Sequence, residues 1–314
     1  MKIAILESLG VSQARLEAEM QDLKAQGCTF ACYERTLDQE VLKQECADAD
    51  AVILANMPFP ADVIRACPNL KYIDVAFTGV DHVGLDAARE RQILVSNASG
   101  YSTRAVSELA VGMMLSLLRN LPAQEAAARS GGTKSGIGAR ELAGKTVGIV
   151  GTGKIGLHTA GILRAFGCRV IGTSATCTSG ERSGIEHMPL QDLLAQSDIV
   201  VLHCPLNAGT RGLIGEKELK SMKESALLIN VARGPVVQTQ ALAKALREGW
   251  IAGAGIDVFD QEPPLPADEP LLDAPHTLLT PHTAFATEES MDMRLGIVFD
   301  NLRAFLSGKP VNLV

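Results

Sequence analysis

The chain has 314 residues, 46% of them hydrophobic and 21% charged, which is the balance of a globular protein large enough for two cores. A formal net charge of -7 argues against a nucleic-acid partner, because a phosphate backbone demands a concentrated positive surface. Cysteines at 28, 32, 46, 67, 168, 177 and 204 form no CxxC pair and no metal-ligand spacing, and no apolar run reaches membrane-spanning length. Free thiols, a cytoplasmic location, no metal and no membrane partner are therefore expected.

Short apolar runs alternate with helical patterns from the start. Strands are expected at Ile3–Leu6, Phe30–Tyr33, Ala51–Ala55, Leu70–Phe77 and Ile93–Ser96, with a helix over Ser12–Gln26. That rhythm predicts β-α-β units and a small parallel sheet ending near Gly100. A long helical pattern then runs from Ser102 to Asn120, its Met and Leu stripe fitting core packing better than a subunit interface. A stretch rich in Gly, Ala and Ser follows through Gly138.

A second β-α series begins at Lys145. Its strands are expected up to Val150, then at Arg169–Gly172, Ile199–Leu202, Ala226–Val231, Ile251–Phe259 and Thr277–Leu279. A last helical pattern, Thr287–Leu306, can return to the first sheet and make that domain discontinuous. The expected division is 1–99 with 286–314, and 100–285.

The segment KTVGIVGTGKIG is an apolar strand followed at once by Gly151, Gly153 and Gly156 in GxGxxG spacing and then by a helical pattern. Gly151 permits the tight turn, Gly153 admits a pyrophosphate close to the backbone, and Gly156 lets helix and sheet pack closely. In that setting the motif points to a dinucleotide. The next strand ends not in the carboxylate that grips a ribose 2′-hydroxyl but in Thr173 and Ser174, and no Asp or Glu occurs between Gly156 and Glu181. Ser174, Thr176, Thr178 and the more distant Arg182 can donate to a 2′-phosphate, so NAD and NADP both stay open.

In open parallel sheets ligands collect beyond the carboxyl ends of strands. Arg233 follows one apolar run, Asp257 and Glu262 follow the next, and His282 follows a third. Reducing a 2-keto acid needs a cation for the carboxylate, a proton donor at the carbonyl oxygen and a hydride source. Arg233 offers the planar guanidinium fork, His282 the acid, and Glu262 the carboxylate that keeps an imidazolium available.

Together GTGKIG, LHCPLNAGTRGLI, LLINVARGPVV, GAGIDVFDQEPP and TPHTA resemble the D-isomer-specific 2-hydroxyacid dehydrogenases, and FTGVDH with SNASGYSTRAVSELA extends the likeness over most of the chain. The resemblance implies a Rossmann dinucleotide-binding domain inserted into a flavodoxin-like substrate domain, with the active site in the cleft between them and a homodimer. It also implies that Arg233, Glu262 and His282 are catalytic, and that backbone groups of Phe77, Thr78 and Gly79 bind the substrate carboxylate. The cofactor would be met by Thr103, Lys154, Ile155, Ser174, His203, Pro205 and Ala232, with Asp257 at the nicotinamide carboxamide.

Two departures stand out: the missing acid near Ser174, and the lack of aromatic residues around Gly131–Gly138 where the family builds its dimer arm. Glu262 disfavours a formate dehydrogenase, which would carry Gln there. Phosphoglycerate and phosphite dehydrogenases, and a nicotinamide-sensing corepressor on the same scaffold, are the competing readings.

Overall fold

A computed structural model describes residues 1–261 and 264–314. The chain divides into two compact units, Met1–Ser102 with Ala286–Val314, and Thr103–Phe285.

The first unit opens with β1 (Lys2–Ile5), α1 (Gln13–Ala25), β2 (Thr29–Cys32), α2 (Gln39–Glu45), β3 (Ala51–Leu54), α3 (Ala61–Ala66), β4 (Tyr72–Val75), α4 (Leu85–Glu90) and β5 (Leu94–Asn97). Its five strands are parallel in the order β2-β1-β3-β4-β5, the flavodoxin-like arrangement, which reverses direction beside β1. The central strands β3 and β4 are buried along their whole length, as continuous AVIL and YIDV runs demand when both faces of a parallel sheet are covered.

The second unit holds α5 (Thr103–Arg119), α6 (Leu121–Arg129), β6 (Thr146–Val150), α7 (Lys154–Ala165), β7 (Arg169–Thr173), β8 (Gly180–Arg182), β9 (Ile185–His187), α8 (Leu190–Gln196), β10 (Ile199–Leu202), α9 (Glu216–Ser221), β11 (Leu227–Asn230), α10 (Thr239–Arg247), β12 (Gly253–Ile256) and β13 (Thr277–Leu279). The sheet order is β13-β12-β11-β10-β6-β7-β9-β8. Read outward from β6, this is the doubly wound Rossmann arrangement, with its switch point between β6 and β10. Among the described strands of this sheet only β8 is antiparallel; it forms a hairpin with β9 through Ser183 and Gly184, both at positive φ as a two-residue hairpin turn requires.

Val106, Ala110, Met113, Met114 and Leu118 of α5 are buried in one core with Val147, Ile149, Ala160 and Leu163, so the Met and Leu stripe is core. By contrast α6, in the Ala-rich segment, buries none of its residues. Its formation rests on alanine propensity and a proline in the first turn rather than on packing.

The chain ends in α11 (Glu288–Leu306), which belongs to the first unit. Thr287 and Ser290 cap it reciprocally, and Met291, Leu295, Val298, Phe299 and Leu302 form its buried stripe. No described helix is long and apolar enough to cross a membrane.

Candidate active site

The carboxyl end of β6 turns sharply at Gly151, whose φ of +101° suits glycine. A side chain there would strike the backbone of His203 and Cys204 at 2.5–2.6 Å, and a Cβ at Gly156 would lie 2.2 Å from the Gly151 carbonyl. These two glycines are thus fixed by close packing. Gly153 is different: nothing lies within 4 Å of where its Cβ would be, and it caps α7 without any side-chain hydrogen bond. The first amides of α7, at exposed Lys154 and half-buried Ile155, sit at the positive end of a helix dipole beside open space. That cradle fits a dinucleotide pyrophosphate.

Around this turn a polar network ties three elements together. Ser107 on α5 donates to the Thr103 carbonyl at 2.9 Å, Thr159 on α7 donates to the Ser107 hydroxyl at 2.9 Å, and the Thr159 hydroxyl lies 3.0 Å from His203 Nε2, just past β10. His203 is half-buried, yet its Nδ1 is fully enclosed with no hydrogen bond among the described residues. Burial accordingly holds the imidazole neutral, with its pKa driven down to about 3. Neither Ser107 nor Thr159 is distinguishable from ordinary helical polar residues in the sequence alone. Pro205, one residue beyond Cys204, is exposed.

At the end of β7, Ser174 and Cys177 form a tight bridge. The Ser174 and Thr176 hydroxyls are 3.4 Å apart, and Arg182, on β8, donates to the Thr176 hydroxyl at 3.3 Å. The hairpin therefore carries a guanidinium back to the strand end where the carboxylate is missing. The sequence, which places Arg182 eight residues downstream, conceals that return.

On the other side of the switch point, β11, β12 and β13 lie side by side and parallel, so their carboxyl ends share one edge. Buried Asn230 closes the turn after β11: its Oδ1 accepts from the Ala232 amide at 3.1 Å and its Nδ2 donates to the Arg233 carbonyl at 3.0 Å. Half-buried Arg233 follows, with Nη1 donating to the Ala232 carbonyl at 2.8 Å. Gly234 packs so tightly on the chain after β12 that a Cβ would sit 2.0 Å from the Phe259 carbonyl. This contact pins the Arg233 turn to the segment leading to Glu262, which itself lies outside the described residues.

Asp257, fully buried, joins the next two strand ends. Its Oδ1 accepts from the Thr280 hydroxyl at 2.5 Å and the Thr283 amide at 2.8 Å, and its Oδ2 accepts from the Ala284 amide at 2.9 Å. The Asp257 carbonyl accepts from the His282 amide at 2.7 Å, and the Asp257 amide donates to the Asn230 carbonyl at 3.0 Å. His282 is thereby held at φ +55°, a left-handed conformation that histidine tolerates better than most residues, with its ring edge-on to Phe285 at 5.2 Å. Burial raises the Asp257 pKa against the pull of these donors. The structure thus gives Asp257 a task that the sequence does not reveal, fastening the loop that carries His282.

In the first unit the loop Phe77-Thr78-Gly79 follows β4. Its carbonyls are engaged, Phe77 by the Ala98 amide at 3.0 Å and Thr78 by Asn97 Nδ2 at 2.8 Å. Among the described residues no hydrogen bond engages the Thr78 or Gly79 amide, and the Thr78 hydroxyl oxygen is enclosed without one. Two amides on one anchored loop suit a small carboxylate.

Among the described residues no group of three or more His, Cys, Asp or Glu is placed to hold a metal ion.

Comparison with known proteins agrees with this architecture. Residues 111–284 match the family described as D-isomer specific 2-hydroxyacid dehydrogenase, NAD binding domain. The chain is 33% identical to a hydroxypyruvate reductase of Blautia hydrogenotrophica over 100% of its length and 99% of that protein. It is 40% identical to a glyoxylate reductase of Thermococcus litoralis, covering 87% and 86% of the two chains. Among solved structures, an acyclic imino acid reductase in complex with NADPH and D-Arg superposes with a TM-score of 0.92 at 27% identity, covering 100% of both chains. The chain belongs to the D-isomer specific 2-hydroxyacid dehydrogenase family. It is a nicotinamide-dinucleotide-dependent oxidoreductase of the kind that interconverts 2-keto and 2-hydroxy acids.

Proposed function

We propose that this enzyme reduces a small 2-keto acid such as glyoxylate or hydroxypyruvate, with NADPH preferred over NADH. The observation that carries the reading is the chain of contacts Asn230–Asp257–His282, which sets Arg233 and His282 at one sheet edge in fixed register. A bound nicotinamide dinucleotide supplies the hydride for the carbonyl carbon. Arg233 takes the substrate carboxylate in its planar fork and polarises the carbonyl. In the first unit the Thr78 and Gly79 amides are donors suited to a carboxylate, whereas the Phe77 amide is already spent on the Val75 carbonyl at 2.7 Å. His282 gives its proton to the carbonyl oxygen, completing the hydroxy acid; in oxidation the neutral imidazole takes that proton back. Glu262 stabilises the imidazolium.

For the cofactor, Gly151, Gly153, Lys154, Ile155 and Gly156 hold the pyrophosphate, and Thr103, His203, Pro205 and Ala232 line its path. Asp257 supports the nicotinamide end through the loop it fastens. The preference for NADPH follows from Ser174, Thr176 and Arg182: two hydroxyls and a guanidinium attract a 2′-phosphate, whereas no carboxylate stands at the strand end to repel it. The first unit serves as the substrate domain and the second as the cofactor domain. The exposed α6 segment serves a homodimer, which sedimentation or light scattering reads as twice the 33.2 kDa chain mass.

Steady-state assays with glyoxylate, hydroxypyruvate, pyruvate and bulkier keto acids, each run with NADPH and with NADH, test the reading. Turnover with a small keto acid and a lower KM for NADPH is expected. No turnover with any of them contradicts the reading. A corepressor-like binding protein would bind the cofactor but show no such turnover.

A further inference from the structure

The β8–β9 hairpin places an imidazole behind the glycine turn. His187 ends β9, is 3% exposed, and lies opposite Gly172 of β7 in the strand register. Its Nδ1 is 2.9 Å from the Ile185 carbonyl, and its Nε2 is 2.9 Å from the hydroxyl of Thr152, the residue between Gly151 and Gly153. A carbonyl only accepts, so Nδ1 carries the proton and Nε2 accepts from the threonine. Gly172 makes this meeting possible: a Cβ there would stand 2.8 Å from Thr152 Cγ2, 2.9 Å from Ile185 Cγ2 and 3.4 Å from His187 Nε2.

We infer that His187 is a positioning residue for the cofactor, holding the glycine turn in its binding shape through Thr152. The inference rests on the dinucleotide site proposed above and adds a residue to it. Gly151 and Gly156 are locked by packing, whereas nothing lies within 4 Å of where a Gly153 Cβ would stand, and among the described residues Gly153 is tied only toward α7, through its carbonyl and the Leu157 amide at 2.9 Å. Between them stands Thr152, whose hydroxyl is oriented by His187. The same imidazole joins the hairpin that bears Arg182 to this turn, adding a side-chain link to the backbone bond by which the Gly151 amide donates to the Thr173 carbonyl at 2.8 Å. The physical role is preorganisation: a turn already in its bound shape avoids the ordering cost of binding.

The test uses full-length wild type, His187→Ala, His187→Gln and Thr152→Val. Equilibrium dissociation constants for NADPH and NADH are measured by fluorescence titration, with KM, kcat and Tm alongside. Thr152→Val removes the same bond from the half-buried side and serves even where His187→Ala folds poorly. Loss of one buried hydrogen bond corresponds to about a five- to tenfold weakening of cofactor binding. The expected result is that rise in Kd and in cofactor KM for both His187→Ala and Thr152→Val, with kcat changing far less. Glutamine, which can present an acceptor where Nε2 stands, recovers most of the affinity. Unchanged cofactor affinity in both variants, whether or not Tm falls, overturns the inference and leaves His187 a packing residue. Absence of NADPH and NADH binding by the wild type instead overturns the cofactor site itself, and this inference with it.

Discussion

Each unit encloses one aspartate completely, and the two differ in what surrounds the carboxylate. Asp257, just past β12, is met by the Thr280 hydroxyl and the Thr283 and Ala284 amides. Asp74, inside β4, accepts from Asn301 Nδ2 at 3.1 Å, and its enclosed Oδ2 lies by the Tyr72 hydroxyl. Burial pushes both upward, and Asp74 is driven well above the ordinary carboxylate range, which favours its neutral form. A carboxylate that collects donors from a neighbouring loop becomes a clamp, and one with fewer of them is a core group whose neutral form burial favours. The first arrangement serves chemistry at a strand end; the second serves the fold.

The comparison breaks most visibly at the clamp. Asp257→Ala removes the side-chain bonds to Thr280, Thr283 and Ala284 on either side of His282 and leaves the backbone bond to the His282 amide, so the ring loses its fixed placement and kcat/KM for the keto acid is expected to fall about 100-fold. Kinetics close to wild type would show that the loop holds its shape without the carboxylate. Gly234→Ala attacks the same edge from β11 by driving a methyl into the Phe259 carbonyl. It is expected to cost about 1–3 kcal/mol of stability and to raise the keto-acid KM, read by thermal melts and steady-state kinetics.

Asp74 sharpens the comparison through pH. Its folded pKa is raised, so its contribution to stability is full below the ordinary carboxylate pKa and is lost as pH rises toward the folded value. Asp74→Asn, neutral at every pH and able to accept from Asn301, should therefore gain Tm relative to wild type at pH 8 and gain little at pH 4. An equal shift at both pH values would mean that folding does not raise the Asp74 pKa.

His203 gives the opposite sign and a smaller effect. Its folded pKa is depressed to about 3, so its stabilisation is present above the ordinary histidine pKa and is lost as pH falls toward that value. His203→Gln should flatten the decline in Tm between pH 6.5 and 4. A variant whose decline matches wild type would assign it to other groups.

Much of this was legible because strand ends leave marks in sequence. The apolar runs ending at Val150, Leu202 and Leu279 match β6, β10 and β13, and glycine spacing marked the turn at Gly151. Boundaries were less legible: Leu70–Phe77 and Ile251–Phe259 read as longer than β4 and β12, because apolar residues continue into buried loops. The α6 helix was read as part of a stretch rich in Gly, Ala and Ser, and none of its residues is buried. The β8–β9 hairpin is short, polar and largely exposed, so neither its pairing nor the placement of Arg182 and His187 could be read from alternation. The second role of Asp257 was hidden for another reason: its partners lie 23–27 residues away, and only the adjacency of β12 and β13 brings them together.

The most direct measurement compares wild type with His282→Asn in glyoxylate or hydroxypyruvate reduction while titrating NADPH binding. Asparagine also accepts the left-handed backbone, so the loop is preserved while the acid is removed. The account predicts that turnover falls at least about 100-fold while NADPH affinity stays within about twofold. Turnover at the wild-type rate would contradict it and move the proton donor elsewhere.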